Sequence, residues 1–116
     1  MKLPQLHAWH QKHAKMIEFV GWDMPLQYEG IVKEHIAVRE RVGLFDVSHM
    51  GRCYIRGEGA TRFLDSILPR DISVLVETQA AYTFALNEQG GFRDDLVVTK
   101  NGEEDYYVVF NALWRQ

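Results

Sequence analysis

Four short segments of the chain have the apolar content and the two-residue alternation of β-strands. They are residues 52–56, 81–86, 92–99 and 106–111. In an extended segment this alternation places successive side chains on opposite faces. Between the first two segments, apolar residues recur at helical spacing before the helix-breaking Pro69, namely Ala60, Phe63, Leu64, Ile67 and Leu68. One strand, one helix and three further strands predict an α+β fold with an antiparallel sheet and flanking helices.

The amino-terminal part of the chain has a different pattern. It predicts a helix over residues 5–15, a strand over Lys15–Val20, a loop over residues 21–25 and a helix from Gly30 to Val42 that is stopped by Gly43. We therefore expect two structural segments, residues 1–51 and residues 52–116. The second is predicted to be a small and incomplete α+β subdomain.

Two adjacent carboxylates, Asp94 and Asp95, stand in the apolar strand that follows the Gly90-Gly91 turn. The polar segment before them has the length and chemistry of a hairpin connection. Alternation predicts one face with Phe92, Asp94, Leu96 and Val98, and an opposite face with Arg93, Asp95, Val97 and Thr99. Because the first face is the more apolar, we expect Asp94 to be structural and Asp95 to face a ligand. A bulge at the glycines would reverse this assignment.

A simpler interpretation gives both aspartates a purely structural role. In it, Asp95 pairs with Arg93, its neighbour on the same face, and Asp94 caps the turn. Charged residues that flank strands are usually solvated or paired in this way. The choice between the two interpretations therefore depends on the surrounding sequence.

A second polar block contains Asp46, Ser48 and His49, which have the composition of a nucleophile triad. Adjacent residues of an extended segment project apart, so Ser48 and His49 cannot readily form a hydrogen bond. The block does not indicate a hydrolase.

His7, His10 and His13 recur every three residues within the first predicted helix. Steps of three residues drift by about 60° around a helix over this run. We expect an exposed, partly packed helix face here and no metal site.

Composition narrows the functional classes. The net charge is −3 and the basic residues are scattered, which argues against a nucleic-acid surface. The single cysteine, Cys53, cannot form an internal disulfide and fits a reducing compartment. No apolar run approaches the ~18 residues of a membrane span, and the start at Met1 lacks a signal or transit pattern. We expect a cytoplasmic location.

Five motifs run in continuous register from about Leu3 to Ala112. They are Gly21-Trp22-Asp23-Met24-Pro25-Leu26-Gln27-Tyr28, then Glu34-His35-Ile36-Ala37-Val38-Arg39, Val42-Gly43-Leu44-Phe45-Asp46-Val47-Ser48-His49-Met50-Gly51, Asn87-Glu88-Gln89-Gly90-Gly91 with Asp94-Asp95-Leu96, and Val108-Val109-Phe110-Asn111-Ala112. Together they resemble the amino-terminal third of the T protein of the glycine cleavage system, the aminomethyltransferase family. The resemblance implies a split folate-binding fold of several subdomains, in which residues 1–51 and the following segment belong to different subdomains.

The resemblance also implies an activity. Members of the family pass an aminomethyl group from the lipoyl arm of the H protein to tetrahydrofolate, with release of ammonia. The essential family aspartate falls on Asp95, and residues that line the folate site fall on Met50, Tyr82, Val109 and Asn111. Asn111 offers an amide that both donates and accepts, which suits the polar edge of a pterin.

The sequence departs from the family pattern at two places. Thr99 replaces a common family tyrosine, which puts one pocket contact in doubt. Residues 68–71, Leu-Pro-Arg-Asp, replace the usual Leu-Thr-Asn-Asp, a change expected to affect only the end of a helix.

Two alternatives of different classes stay open. One is a folate-dependent demethylase or a dimethylglycine or sarcosine oxidation domain, and the other is a folate-binding module without transfer chemistry. Because family members are about three times as long, we expect the isolated chain to be inactive. Its unpaired strand edges are expected to favour self-association or a complementing chain that carries the remainder.

Overall fold

The computed structural model describes residues 1–114 and divides the chain into two compact units, Met1–His49 and Met50–Gln116. Met50 and Gly51 therefore belong to the second unit. No helix within residues 1–114 is long and apolar enough to span a membrane.

The first unit contains two helices and a two-stranded antiparallel sheet. Its elements are α1 (His7–His13), β1 (Lys15–Phe19), β2 (Trp22–Gln27) and α2 (Ile31–Glu40). Both helices are shorter than predicted. The first turn of α2 is closed by Glu34, whose Oε1 accepts the backbone N–H groups of residues 28–30 at 2.6–2.9 Å. These N–H groups precede the helix and would otherwise have no intrahelical partner.

The predicted loop over residues 21–25 is wrong beyond its first residue, because residues 22–25 lie in β2. The turn between the strands consists of Val20 and Gly21, and Phe19 already pairs with Trp22. Gly21 has φ 78°, a conformation that costs glycine little. Pro25 is tolerated because a two-stranded sheet leaves each strand with one free edge.

The second unit has the predicted order of elements. They are β3 (Gly51–Arg56), α3 (Ala60–Ile67), β4 (Ala80–Leu86), β5 (Phe92–Gly102), β6 (Asp105–Phe110) and a 3₁₀ turn over Ala112–Trp114. The strands form one antiparallel sheet in the spatial order β3-β6-β5-β4. This confirms the α+β fold with an antiparallel sheet.

One face of this sheet carries the core of the unit. The core residues come from α3, the segment after it and alternate positions of the strands: Ala60, Leu64, Leu68, Ile72, Leu75, Ala81, Val98, Tyr106 and Val108. The helix ends before Pro69, as predicted. The buried strand positions define the helix-covered face of the sheet.

The opposite side, the open face, carries several half-buried or exposed side chains. Paired residues of an antiparallel ladder point to the same side, so the register assigns to this face Arg52, Tyr54, Tyr82, Phe84, Asp95, Val97, Thr99, Tyr107 and Val109. The exposed fractions of Tyr54 and Tyr82 are 56% and 55%. The open face is therefore an aromatic surface with a carboxylate in it.

A bulge in β5 changes one predicted assignment. Asp94 pairs with Ala85, and Phe92 pairs with the next residue of β4, Leu86. Arg93 is therefore an extra residue in β5 that has no partner in β4. Phe92 consequently lies on the open face, where the centroid of its ring lies 4.8 Å from that of Phe84. The prediction that Phe92 shares a face with Asp94 is wrong. The faces of Asp94 and Asp95 are as predicted, because the bulge precedes both.

Candidate functional site

Asp95 lies on the open face with both carboxylate oxygens engaged by neutral donors. The hydroxyl of Tyr82 donates to Oδ2 at 3.0 Å. The side-chain Nδ2 of Asn111 donates to Oδ1 at 2.7 Å. The residue is exposed, and each carboxylate oxygen has capacity for a second hydrogen bond. The carboxylate is thus held in one orientation and still faces solvent.

Asp94 is half-buried and binds the same asparagine from the other side. Its Oδ2 accepts the backbone N–H of Asn111 at 3.0 Å, and its Oδ1 accepts from Nδ2 at 2.7 Å. An amide oxygen placed between two carboxylates would face only acceptors. The two aspartates therefore require that Nδ2 of Asn111, and not its oxygen, points toward them. Among residues 1–114 no ion pair joins Asp95 to Arg93, in contrast to the simpler interpretation.

The two carboxylates restrict what Asn111 can offer to a ligand. The amide nitrogen carries two hydrogens, and its acceptors are Oδ1 of Asp94 and Oδ1 of Asp95, with a longer contact to the Asp95 carbonyl at 3.3 Å. The expectation that Asn111 presents both a donor and an acceptor is therefore wrong. It retains only its side-chain oxygen for a ligand.

Tyr82 is the aromatic residue among the predicted site residues, and its side chain is exposed. The hydrogen bond that it donates to Asp95 raises the pKa of the Tyr82 phenol above its ordinary value, and slight desolvation and the charge of Asp95 act in the same direction. The hydroxyl therefore stays protonated, and its proton remains available to the carboxylate.

The remaining predicted site residues lie on the same sheet. Val109 is half-buried on the open face, where it pairs with Val97 and Arg52. Met50 is half-buried and precedes Gly51, which pairs with Phe110. Asn111 follows Phe110, so Met50 and Asn111 are the residues next to this terminal pair of the ladder. Thr99 follows Val97 along the open face, so the family tyrosine that it replaces would also stand there.

A concavity of about 390 Å³ adjoins this cluster. Its lining combines three aromatic with three charged side chains: Tyr82, Phe84, Phe92, Arg93, Asp94 and Asp95. A flat heterocycle with polar nitrogens fits such a surface, since aromatic rings supply stacking area and a carboxylate accepts N–H groups. The larger concavity of about 590 Å³ belongs to the first unit and lies between β2, α2 and the segment after α2.

The first unit contains a buried network that sequence reasoning missed. His10 is 2% exposed, its Nε2 lies 2.7 Å from Oδ2 of Asp46, and its Nδ1 lies 2.8 Å from the hydroxyl of Tyr28. The expectation of an exposed helix face is wrong at this position. No sequence signal could have found the pair, because 36 positions separate its members.

The other polar residues of the first unit have separate partners. Nε2 of His7 lies 2.7 Å from Asp23, and Nδ1 of His13 lies 2.7 Å from the carbonyl of Trp9. The three histidines of α1 thus point to three different places. Within residues 1–114 no group of three or more His, Cys, Asp or Glu side chains has the geometry of a metal site.

Asp46 binds His10 through Oδ2, and it also forms hydrogen bonds with Ser48. Its Oδ1 accepts the backbone N–H of Ser48 at 2.7 Å, which closes a short turn. Burial favours a high pKa for Asp46, but the hydrogen bonds from Ser48 and His10 outweigh it and hold the pKa below its ordinary value. These hydrogen bonds thus stabilise the charged form of the Asp46 carboxyl group.

Comparison with known proteins bears on this arrangement. The GCVT N-terminal domain model matches residues 6–116. The aminomethyltransferases of Chloroherpeton thalassium and Deinococcus deserti are each 48% identical over 113 residues, which cover 97% of this chain and 31% and 32% of those proteins. That of Staphylococcus haemolyticus is 46% identical over 111 residues, 96% of this chain and 31% of that protein.

A solved structure agrees with the sequence comparisons. The glycine cleavage system aminomethyltransferase T of Bartonella henselae superposes with a TM-score of 0.89 at 41% identity, covering 97% of this chain and 32% of that one. The chain therefore spans about a third of the length of the relatives that it matches. It belongs to the aminomethyltransferase family of the glycine cleavage T protein, and it corresponds to the amino-terminal portion of that family.

Proposed function

We propose that this chain supplies the carboxylate and one wall of a tetrahydrofolate site in an aminomethyltransferase of the glycine cleavage system. The reaction moves the methylene of an aminomethyl-lipoyl carrier to tetrahydrofolate and releases ammonia. The observation that supports the proposal most directly is the geometry of Asp95. It stands exposed on an aromatic sheet face and is fixed by Tyr82 and Asn111.

Tetrahydrofolate, when bound, supplies the weakly basic nitrogen that receives the one-carbon unit. The residues of this chain bind and orient it. The ring of Tyr82 provides a flat surface, and Met50 and Val109 provide apolar contact. Asn111 offers its side-chain oxygen to a donor on the ligand.

Asp95 acts as the charged group of the site. As an anion it accepts a hydrogen bond from an N–H group, which orients the nitrogen, and it stabilises positive charge that develops there. Its donors, Tyr82 and Asn111, carry no charge of their own. Neither of these two donors therefore forms an ion pair with the carboxylate.

The proposal includes a partner and a location. The aminomethyl group would arrive on the lipoyl arm of the H protein, and the reaction would take place in the cytoplasm or in the mitochondrial matrix of a eukaryote. Since the chain corresponds to about a third of its relatives, a complementing polypeptide segment would complete the pocket.

The decisive experiment measures transfer by the native protein, isolated with any polypeptide that accompanies it. Tetrahydrofolate is offered with each of three donors, namely aminomethyl-lipoyl H protein, dimethylglycine and a sulfonium compound. Formation of methylenetetrahydrofolate from the first donor alone supports the proposal. Transfer from another donor points to a demethylase or an oxidation domain, and tetrahydrofolate binding without any transfer points to a binding module.

A further inference from the structure

The two carboxylates of β5 are joined through a single amide. Asp94 binds the backbone N–H and the side-chain Nδ2 of Asn111, at 3.0 Å and 2.7 Å, and the same Nδ2 donates to Asp95 at 2.7 Å. Asp94 is half-buried, whereas Asp95 is exposed. The Asn111 amide thus links the half-buried carboxylate of Asp94 to the exposed carboxylate of Asp95.

We propose that Asp94 is a positioning residue of the transfer reaction, because it holds the Asn111 amide in the orientation that fixes the Asp95 carboxylate. The inference rests on the proposed function and extends it to a residue to which that function gives no role. One hydrogen bond to Asp94 anchors the backbone N–H of Asn111 and the other its side-chain Nδ2, so the same carboxylate holds both the backbone and the amide. Without these bonds, the amide could turn its oxygen toward Asp95, where two acceptors would repel each other.

The substitution Asp94→Asn tests this role with little change in shape. The new amide can accept only through its oxygen, so it can serve either the backbone N–H or Nδ2 of Asn111, but not both. The –NH₂ group of the substituted side chain would face the other of these two donors, with which it cannot form a hydrogen bond. We expect the Asn111 amide to leave its position against Asp95.

In the native protein we expect kcat to fall by about tenfold to a hundredfold, the usual cost of losing a hydrogen bond to a charged group. The apolar wall stays in place in this variant, so any rise in the KM for tetrahydrofolate reflects the lost contact of the ligand with the Asn111 oxygen. A double-mutant cycle with Asn111→Ala makes the test specific. If Asp94 acts through Asn111, Asp94→Asn should lower kcat no further once the amide is absent.

Asp65→Asn serves as the control for stability. Asp65 also caps backbone of the second unit, since its Oδ1 accepts the N–H of Ile72 at 2.6 Å. We expect it to lower the melting temperature as Asp94→Asn does, with kcat unchanged. A fall in kcat of equal size in the wild-type and Asn111→Ala backgrounds would overturn the proposal.

A second measurement needs no activity. The side-chain amide resonances of Asn111 in the ¹⁵N-labelled 116-residue chain should shift in Asp94→Asn and stay unchanged in Asp65→Asn. Unchanged resonances in Asp94→Asn would overturn the positioning role, whatever the protein catalyses. If the wild-type protein transfers no aminomethyl group, the proposed function fails, and these spectra alone decide whether Asp94 holds the amide.

Discussion

The hydroxyl of Tyr82 donates a hydrogen bond of 3.0 Å to Oδ2 of Asp95, on the neighbouring strand. The two residues are diagonal neighbours, since Tyr82 pairs with Val97 and Asp95 with Phe84. Long aromatic side chains span this diagonal in antiparallel sheets. The same side chain therefore forms part of the ligand wall and fixes the carboxylate, and substitutions can separate the two roles.

Asp95→Asn in the native protein should leave folding intact and lower the rate of transfer by on the order of 10²–10⁴. The exposed side chain contributes little packing, and an amide keeps its shape but not its charge. Turnover and the melting temperature are measured together. Asp105→Asn is the control, because it neutralises a carboxylate of the same sheet that binds Arg56 and Asn101. Equal losses in both variants would indicate a general charge effect.

Two substitutions at Tyr82 should have different effects. Tyr82→Phe keeps the ring and loses the hydrogen bond, so kcat should fall by about tenfold with the Kd for tetrahydrofolate little changed. Tyr82→Ala also removes the wall, and the Kd should rise by the equivalent of about 1–3 kcal/mol of apolar contact. Fluorescence titration measures the affinity. An unchanged Kd in Tyr82→Ala would remove this residue from the ligand wall.

Much of the second unit follows from sequence patterns. A period of two predicts the strands and the exposure of Asp95, because the helix-covered face has to be apolar, and the order of one strand, one helix and three strands predicts the antiparallel sheet. Alternation fails at Phe92 because the bulge at Arg93 inserts one residue into β5. Neither a phenylalanine nor an arginine in a sequence indicates a bulge. Alternation also fails at Trp22, where a glycine and a proline nearby favoured a loop.

The contacts that build the candidate site depend on register and could not be predicted. Asn111 reaches Asp94 and Asp95 because β6 pairs with β5 so that Phe110 stands opposite Leu96. A shift of one residue would move the amide away from both carboxylates. The pair of His10 and Asp46 likewise depends on chain closure over a long segment. Sequence patterns indicate which residues carry chemistry, whereas register decides which of them meet.

The phenol of Tyr82 provides a direct test of its bond to Asp95. That bond raises the pKa of Tyr82 above the ordinary value of 10.0. Because the folded-state pKa is raised, the contribution to stability is complete below the ordinary value and is lost as the pH rises through the raised pKa. We expect Asp95→Asn to lower the pKa of Tyr82 toward the ordinary value, as followed by ¹³Cζ resonances of labelled tyrosine. An unchanged titration would show that the hydrogen bond does not form in solution.

The buried pair of Asp46 and His10 should make the first unit sensitive to acid. Asp46 has a side chain that is 6% exposed, and hydrogen bonds from Ser48 and His10 hold its pKa below the ordinary value of 3.8 despite burial. For a lowered folded-state pKa, the stabilising contribution is complete above 3.8 and is lost as the pH falls through the lowered value.

Asp46→Asn should therefore destabilise residues 1–49 by about 1–3 kcal/mol at neutral pH, the cost of a weakened hydrogen bond to a buried charged group. The difference from the wild type should vanish at a pH below the lowered pKa of Asp46, where the carboxyl is neutral in both states. Residue-resolved amide hydrogen exchange measures the free energy of unfolding of the first unit separately from that of the second. Glu40→Gln, which neutralises an exposed carboxylate of the same unit, should show no such difference at any pH. A destabilisation by Asp46→Asn that persists unchanged into acid would show that shape, and not the charge of Asp46, holds His10 in place.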